Sequence, residues 1–225
     1  KTLLEEFKFD PKNVHVCGDS RFDRVLETVK NAQEIDVIAD FKGEAPLVIL
    51  GSCYAQEEDF VREAFAKFPT WKFIYAPHYV DDNYVDALLK RLPAAAVKFT
   101  DYKKGNERIL VLNTIGKLAA AYRYGRIAVV GGGFRTGIHN ILEPAAFGLP
   151  LFFGPNHSYF PEAKALLNAG LADEIDKNGI AKNRLAQLMS DAELRKTQQQ
   201  KLIAFVAAHA GATQRIAEIL KKYIV

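Results

Sequence analysis

Residues 129–155 read VVGGGFRTGIHNILEPAAFGLPLFFGP, and no other stretch constrains the fold as strongly. An apolar run meets three glycines, a polar loop, an Asn-x-x-Glu-Pro turn and a second apolar run. That order describes a strand, a loop whose backbone can approach an anion, a helix start and another strand. The same grammar recurs along the chain. Residues 47–50, 71–76, 109–112, 127–130 and 151–153 read as strands, with 14–17 as a further short candidate. Helical patterns open at Ser20, where Phe22, Val25, Leu26 and Val29 share a face, and cover 56–68, 81–91 (stopped before Pro93) and 115–122. Strands that are apolar throughout, alternating with helices, predict a parallel sheet covered on both faces. Pro161 and Gly170 bracket a helix, and Ser190-x-x-Glu193 reads as a capping box for a long C-terminal helix. Gly211 ends that helix and Thr213 caps the last one. The reading is a single α/β domain over residues 1–225, with C-terminal helices from about 190.

Composition narrows the function. The 225 residues are 49% hydrophobic and 25% charged, enough for a sizeable core. A net charge of +3, scattered along the chain, does not make the basic face of a nucleic-acid binder. It suits an anionic small ligand or an anionic membrane surface. Cys17 and Cys53 have no CxxC or zinc spacing and read as reduced thiols. His15, His78, His139, His157 and His209 show neither HExxH nor an acidic cluster, so no metal site is expected. No apolar run approaches the roughly 20 residues that cross a bilayer. The opening KTLLEE reads as a helix cut from something longer.

In a doubly wound sheet, ligands bind beyond the carboxyl ends of the strands. Three such ends carry suggestive residues: Gly51-Ser52, Pro77-His78 and Gly131-Gly132-Gly133. The glycines fit either a phosphate-cradling loop or a tight turn. They are not a Walker A loop, because Ile138 follows Gly137, nor a dinucleotide fingerprint, because Thr136 stands where a glycine or alanine is needed. Proline is confined to the first turn of a helix, so Pro144 sets the helix start near Asn140, with Asn140 as N-cap and Glu143 third. Asn140 and Glu143 then fit a capping box, or a carboxylate offered to the vicinal diol of a ribose. His139 and Ser52 could donate to an anion. Arg21 and Arg24, in DSRFDR, either belong to a helix start capped by Ser20 with Asp23 as its reciprocal acid, or face an anionic sugar or a neighbouring domain.

The chain resembles the C-terminal half of bacterial 3-deoxy-D-manno-octulosonic acid (Kdo) transferases. Three segments carry the resemblance: 18–24 (GDSRFDR), Gly51-Ser52 followed by Glu57-Glu58-Asp59, and 131–146, of which HNILEPA is the most specific. The resemblance implies a Rossmann-like domain, one half of a glycosyltransferase B architecture, binding CMP-Kdo without a metal or other cofactor. It implies donor-site roles for Ser52, His78, Gly131, Gly132, Gly133, His139, Asn140 and Glu143, with Glu143 on the cytidine ribose and Arg21 and Arg24 secondary. The catalytic base, the lipid A precursor site and the membrane contact would belong to an N-terminal half outside this chain, which places the whole enzyme on the cytoplasmic face of the inner membrane and this portion in solution. Three positions depart from the family pattern: Pro77 runs into His78 without an intervening Arg, Cys53-Tyr54 follows Gly-Ser, and Ile138 replaces a glycine. Another nucleotide-sugar glycosyltransferase or epimerase, or a non-catalytic nucleotide-sugar binding module, is the alternative.

Overall fold

The computed structural model describes residues 6–92 and 96–223. One seven-stranded sheet organises them: β1 (Leu47–Cys53), β2 (Lys72–Pro77), β3 (Ala96–Lys98), β4 (Ile109–Val111), β5 (Ile127–Val130), β6 (Leu151–Phe153) and β7 (Ala172–Glu174). The order is β3-β4-β2-β1-β5-β6-β7, with all neighbours parallel. The helices are α1 (Ser20–Asn31), α2 (Asp36–Lys42), α3 (Ala55–Lys67), α4 (Asp82–Arg91), α5 (Leu118–Ala121), α6 (Leu142–Ala146), α7 (Pro161–Asn168), α8 (Ile180–Ser190), α9 (Ala192–His209) and α10 (Ala212–Leu220).

Strand side chains alternate between faces, and each face builds its own core. Leu47 and Ile49 join Phe22 of α1, Phe41 of α2, Leu142 of α6 and Leu202 of α9. Val48 and Leu50 join Phe60 of α3, Val85 of α4 and Leu185 of α8. Both faces are therefore covered, which is why the strands carry no polar alternation. From β1 the chain passes to β2, out to β3 at the sheet edge and back to β4 between them, then crosses to β5 on the other flank of β1. The order reverses between β1 and β5, so the loops leaving these two strands diverge and open a crevice.

Several local readings change. Residues 14–17 form no strand: Val16 is exposed and the Cys17 carbonyl accepts from Arg215 Nε at 2.9 Å, so a four-residue run found no neighbouring strand. β3 and β7, three residues each at the sheet edges, are too short to show a period. The helix expected over 115–122 shrinks to α5 because Gly116 turns the chain at φ +83°, and a 3₁₀ turn follows over Tyr122–Tyr124. Asp19 rather than Ser20 caps α1, its Oδ1 accepting the Arg21 amide at 2.9 Å. Asp191 rather than Ser190 caps α9, accepting the Leu194 amide at 2.9 Å, while Ser190 Oγ donates back to the Ala186 carbonyl. Thr213 is not a cap but lies inside α10. Asp23 reaches from α1 to accept its amide at 2.8 Å, its hydroxyl at 3.0 Å and the Gly211 amide. Pro161 at the start of α7, Gly170 (φ +65°) beyond it and Gly211 (φ +92°) between α9 and α10 stand as expected. The readings on residues 1–5 and Pro93 lie outside the described residues.

Candidate functional site

The loops after β1, β2 and β5 meet at one rim. Ser52 interrupts the pairing of β1 with β2 as a bulge and holds φ at +51°, a conformation a non-glycine residue adopts at a cost of about 1–3 kcal/mol. The three glycines beside it answer three different demands. A Cβ on Gly131 would meet the Ser52 backbone, one on Gly133 would meet Gly154, and Gly132 alone needs its positive φ of +91°. The loop closes on itself: His139 donates its amide to the Gly131 carbonyl at 3.0 Å, and Arg135 donates its own to Gly132 at 2.9 Å. The Gly131 amide is taken by the Gly51 carbonyl at 2.9 Å, and the Gly132 amide faces the buried Glu57 carboxylate. Neither the Gly132 nor the Gly133 amide donates to a backbone carbonyl among the described residues.

Glu57 is fully buried below this loop, where it accepts the Tyr54 amide at 2.9 Å, and its burial raises its pKa. Glu58 pairs with Arg91 of α4 at 2.9 Å behind β1. The acidic run after Gly51-Ser52 is therefore architectural. Cys53 is buried too, and burial raises its thiol pKa well above the usual range, which makes it no nucleophile.

Aromatic rings fill the space above. Tyr54, His78 and His139 form a triangle of nearly parallel rings, with centroids 4.9 Å (Tyr54–His78), 4.8 Å (His78–His139) and 6.1 Å (Tyr54–His139) apart. Arg135 lies over the Tyr54 ring, 4.2 Å from its centroid. His139 is held toward its neutral form, first by burial and then by the neighbouring His78. Its Nε2 is buried with no hydrogen-bond partner.

On the other side of His139 a cleft of about 360 Å³ opens between α1, α6 and α7, lined by Arg21, Arg24, Asn140, Glu143, Phe160 and Glu162 among others. Helix α6 begins at Leu142, one residue later than the expected start after an Asn140 cap, and Ile141 already has helical dihedrals. Asn140 keeps its capping task, its Oδ1 accepting the Leu142 amide at 3.0 Å and the Glu143 amide at 3.4 Å. Glu143 is thus the second helical residue, on a helix of only five residues. Burial raises the Glu143 pKa, while Asn140 and Arg24 pull it down. Arg21 is bound to Asp19 and to the buried Glu162, each at 2.7 Å, which ties α1 to α7 across the cleft. Arg24 makes no ion pair among the described residues and faces Glu143.

Ser52, His78, Gly131–Gly133, His139, Asn140 and Glu143 thus come together around the β1/β5 crevice, with Arg24 opposite Glu143. The sequence pointed to neither Tyr54 nor Arg135. A signal existed: an aromatic residue directly after Gly-Ser-Cys, and the one cation inside the glycine loop.

No protein-family model matches the chain. Sequence relatives converge. The 3-deoxy-D-manno-octulosonic acid transferase of Chlamydophila psittaci is 29% identical over 239 residues, covering 100% of this chain and 53% of that protein. That of Haemophilus influenzae is 27% identical over 228 residues, covering 96% and 53%. The chain is a relative of the Kdo transferases. It spans about half the length of the curated Kdo transferases it matches. Among solved structures, it resembles the C-terminal CMP-Kdo binding domain of WaaA from Acinetobacter baumannii (TM-score 0.62, 15% identity, 81% of this chain and 97% of that one). It also resembles a putative UDP-N-acetylglucosamine 2-epimerase from Listeria monocytogenes (TM-score 0.64, 18% identity, 98% and 56%). At such identities the two structures report a shared fold, that of glycosyltransferase B enzymes and epimerases. The HNILEPA run of this Kdo transferase relative supplies the His139–Glu143 wall of the cleft.

Proposed function

We propose that this chain is the donor-binding half of a Kdo transferase, holding CMP-Kdo while Kdo passes to a lipid A precursor in lipopolysaccharide assembly. The observation that carries the reading is the wall made by Asn140 and Glu143, set at the reversal of strand order beside the glycine loop and facing Arg24. A half-buried carboxylate there accepts both hydroxyls of a ribose. The phosphate then lies toward the Gly133 amide and the rings of His78 and His139. An acceptor hydroxyl, deprotonated by a base outside these residues, attacks the anomeric carbon of Kdo. The bond from that carbon to the phosphate oxygen breaks, its electron pair stays on the oxygen, and CMP leaves against preorganised donors. Protein groups, rather than a metal ion, neutralise the phosphate in this reading. The whole enzyme would act on the cytoplasmic face of the inner membrane. Among the described residues, no helix is long and apolar enough to cross a membrane.

Calorimetric titration of CMP against UDP, with and without EDTA, tests this. CMP should bind tighter by about tenfold, ~1.4 kcal/mol, and EDTA should leave its affinity unchanged. Preference for UDP would support a fold relative such as an epimerase. Loss of binding in EDTA would overturn the metal-free account.

A further inference from the structure

The rim holds three arginines, and only one of them belongs to the glycine loop. Arg21 is neutralised by Asp19 and Glu162. Arg24 faces Glu143 in the cleft. Arg135 belongs to the loop itself, is exposed, and makes no ion pair among the described residues. Its backbone is fixed from both ends: its amide donates to Gly132 at 2.9 Å, and its carbonyl accepts from Asn156 Nδ2 at 2.6 Å. Its guanidinium carbon lies over the Tyr54 ring, 4.2 Å from the centroid. A guanidinium stacked this way keeps its in-plane N–H groups free for a phosphate, and the stacking reduces the entropy lost when it binds. The same ring packs against His78 and His139, and His139 Nε2 is buried without a partner. Arg135 thus gives the glycine loop a braced cation that has no counter-ion among the described residues.

We infer that Arg135, positioned by Tyr54, binds the phosphate of the nucleotide held in this site. The inference rests on the proposed donor site. It adds a residue specific to the phosphate, as distinct from the Glu143 contact to the ribose.

The test compares CMP with cytidine on the wild-type chain, Arg135→Ala and Arg135→Lys, by calorimetry. Arg135→Ala should weaken CMP by about tenfold or more and leave cytidine unchanged. Arg135→Lys should recover part of the loss, since it keeps the charge without the planar fork. Added salt should weaken CMP binding more in the wild type than in Arg135→Ala. An equal loss for cytidine, or no loss for CMP, overturns the inference. Should the wild type prefer UDP, the CMP reading fails, and UDP against uridine puts the same question to Arg135. The side chain is exposed, so unchanged thermal unfolding of both variants would show that the fold is not what moved.

Discussion

Glu143 is buried enough to raise its pKa above the ordinary 4.5, against the opposing pull of Asn140 and Arg24. The folded protein thus holds this proton more tightly than the unfolded chain. The contribution to stability is complete below 4.5 and declines as pH rises through the folded pKa, so at neutral pH the ionised carboxylate is a net cost. A carboxylate kept in place at that cost fits a ligand contact better than a helix cap. Asn140 already accepts the free amides of Leu142 and Glu143. Glu143→Gln should therefore unfold at an equal or higher temperature at pH 7, with a flatter pH dependence just above 4.5. The same variant should bind CMP more weakly by about 1–3 kcal/mol, the size of a charge-assisted contact. A lower unfolding temperature with intact CMP binding would return Glu143 to a purely structural role.

At the scale of elements, the cleft depends on how α1 is held. Asp23 on α1 accepts the Gly211 and Thr213 amides and so caps α10, while Arg21, two residues earlier, is clasped by Glu162 of α7. The two helices flanking α1 thereby fix the side that carries Arg24 toward the cleft. Asp23→Ala should cost about 1 kcal/mol, the usual loss for a helix cap, and speed amide exchange at Thr213. The pKa of Asp23 lies below its ordinary 3.8, mainly through the Thr213 and Gly211 amides. Its share of stability is therefore present above 3.8 and lost as pH falls through the folded value, a loss absent from the variant. This latch also shows why some structure was hidden in the sequence. Asp23 and Gly211 are joined across 188 positions, and no local period announces such a cap. What was legible was local: the apolar runs of β1, β2, β5 and β6, the proline that bounds α6, and the glycines after β5. The candidate wall at His139–Glu143 was legible for the same reason, being contiguous. The Arg135–Tyr54 brace was not, because it joins residues from two loops that only the β1–β5 pairing brings together.

At the scale of the whole molecule, all three rim loops lie on one side of the sheet and open outward from the β1/β5 reversal. That places every donor-site candidate on a single exposed edge. A hydroxyl attacking the anomeric carbon would have to approach from the solvent side of that edge. On that side the candidate bases are few. Glu57 is buried below the glycine loop, Glu58 is buried against Arg91 behind β1, Glu143 faces Arg24 and is assigned to the ribose, and Cys53 is sealed in the core. His139 is held toward its neutral form, yet its Nε2 is buried against Gly132 and points into the loop that would carry the leaving phosphate. A base on the leaving-group side cannot also take the proton of an incoming nucleophile. The chain spans about half of its curated relatives, so the proposed division of labour assigns the base to the other half. These residues alone should therefore bind CMP yet form no product from CMP-Kdo and a lipid A precursor. The measurement is single-turnover transfer with the chain in excess over donor, where even a slow base would be seen. Kdo transfer above the rate of spontaneous donor hydrolysis would put a catalytic base within residues 1–225, and His78 would then be the first side chain to replace.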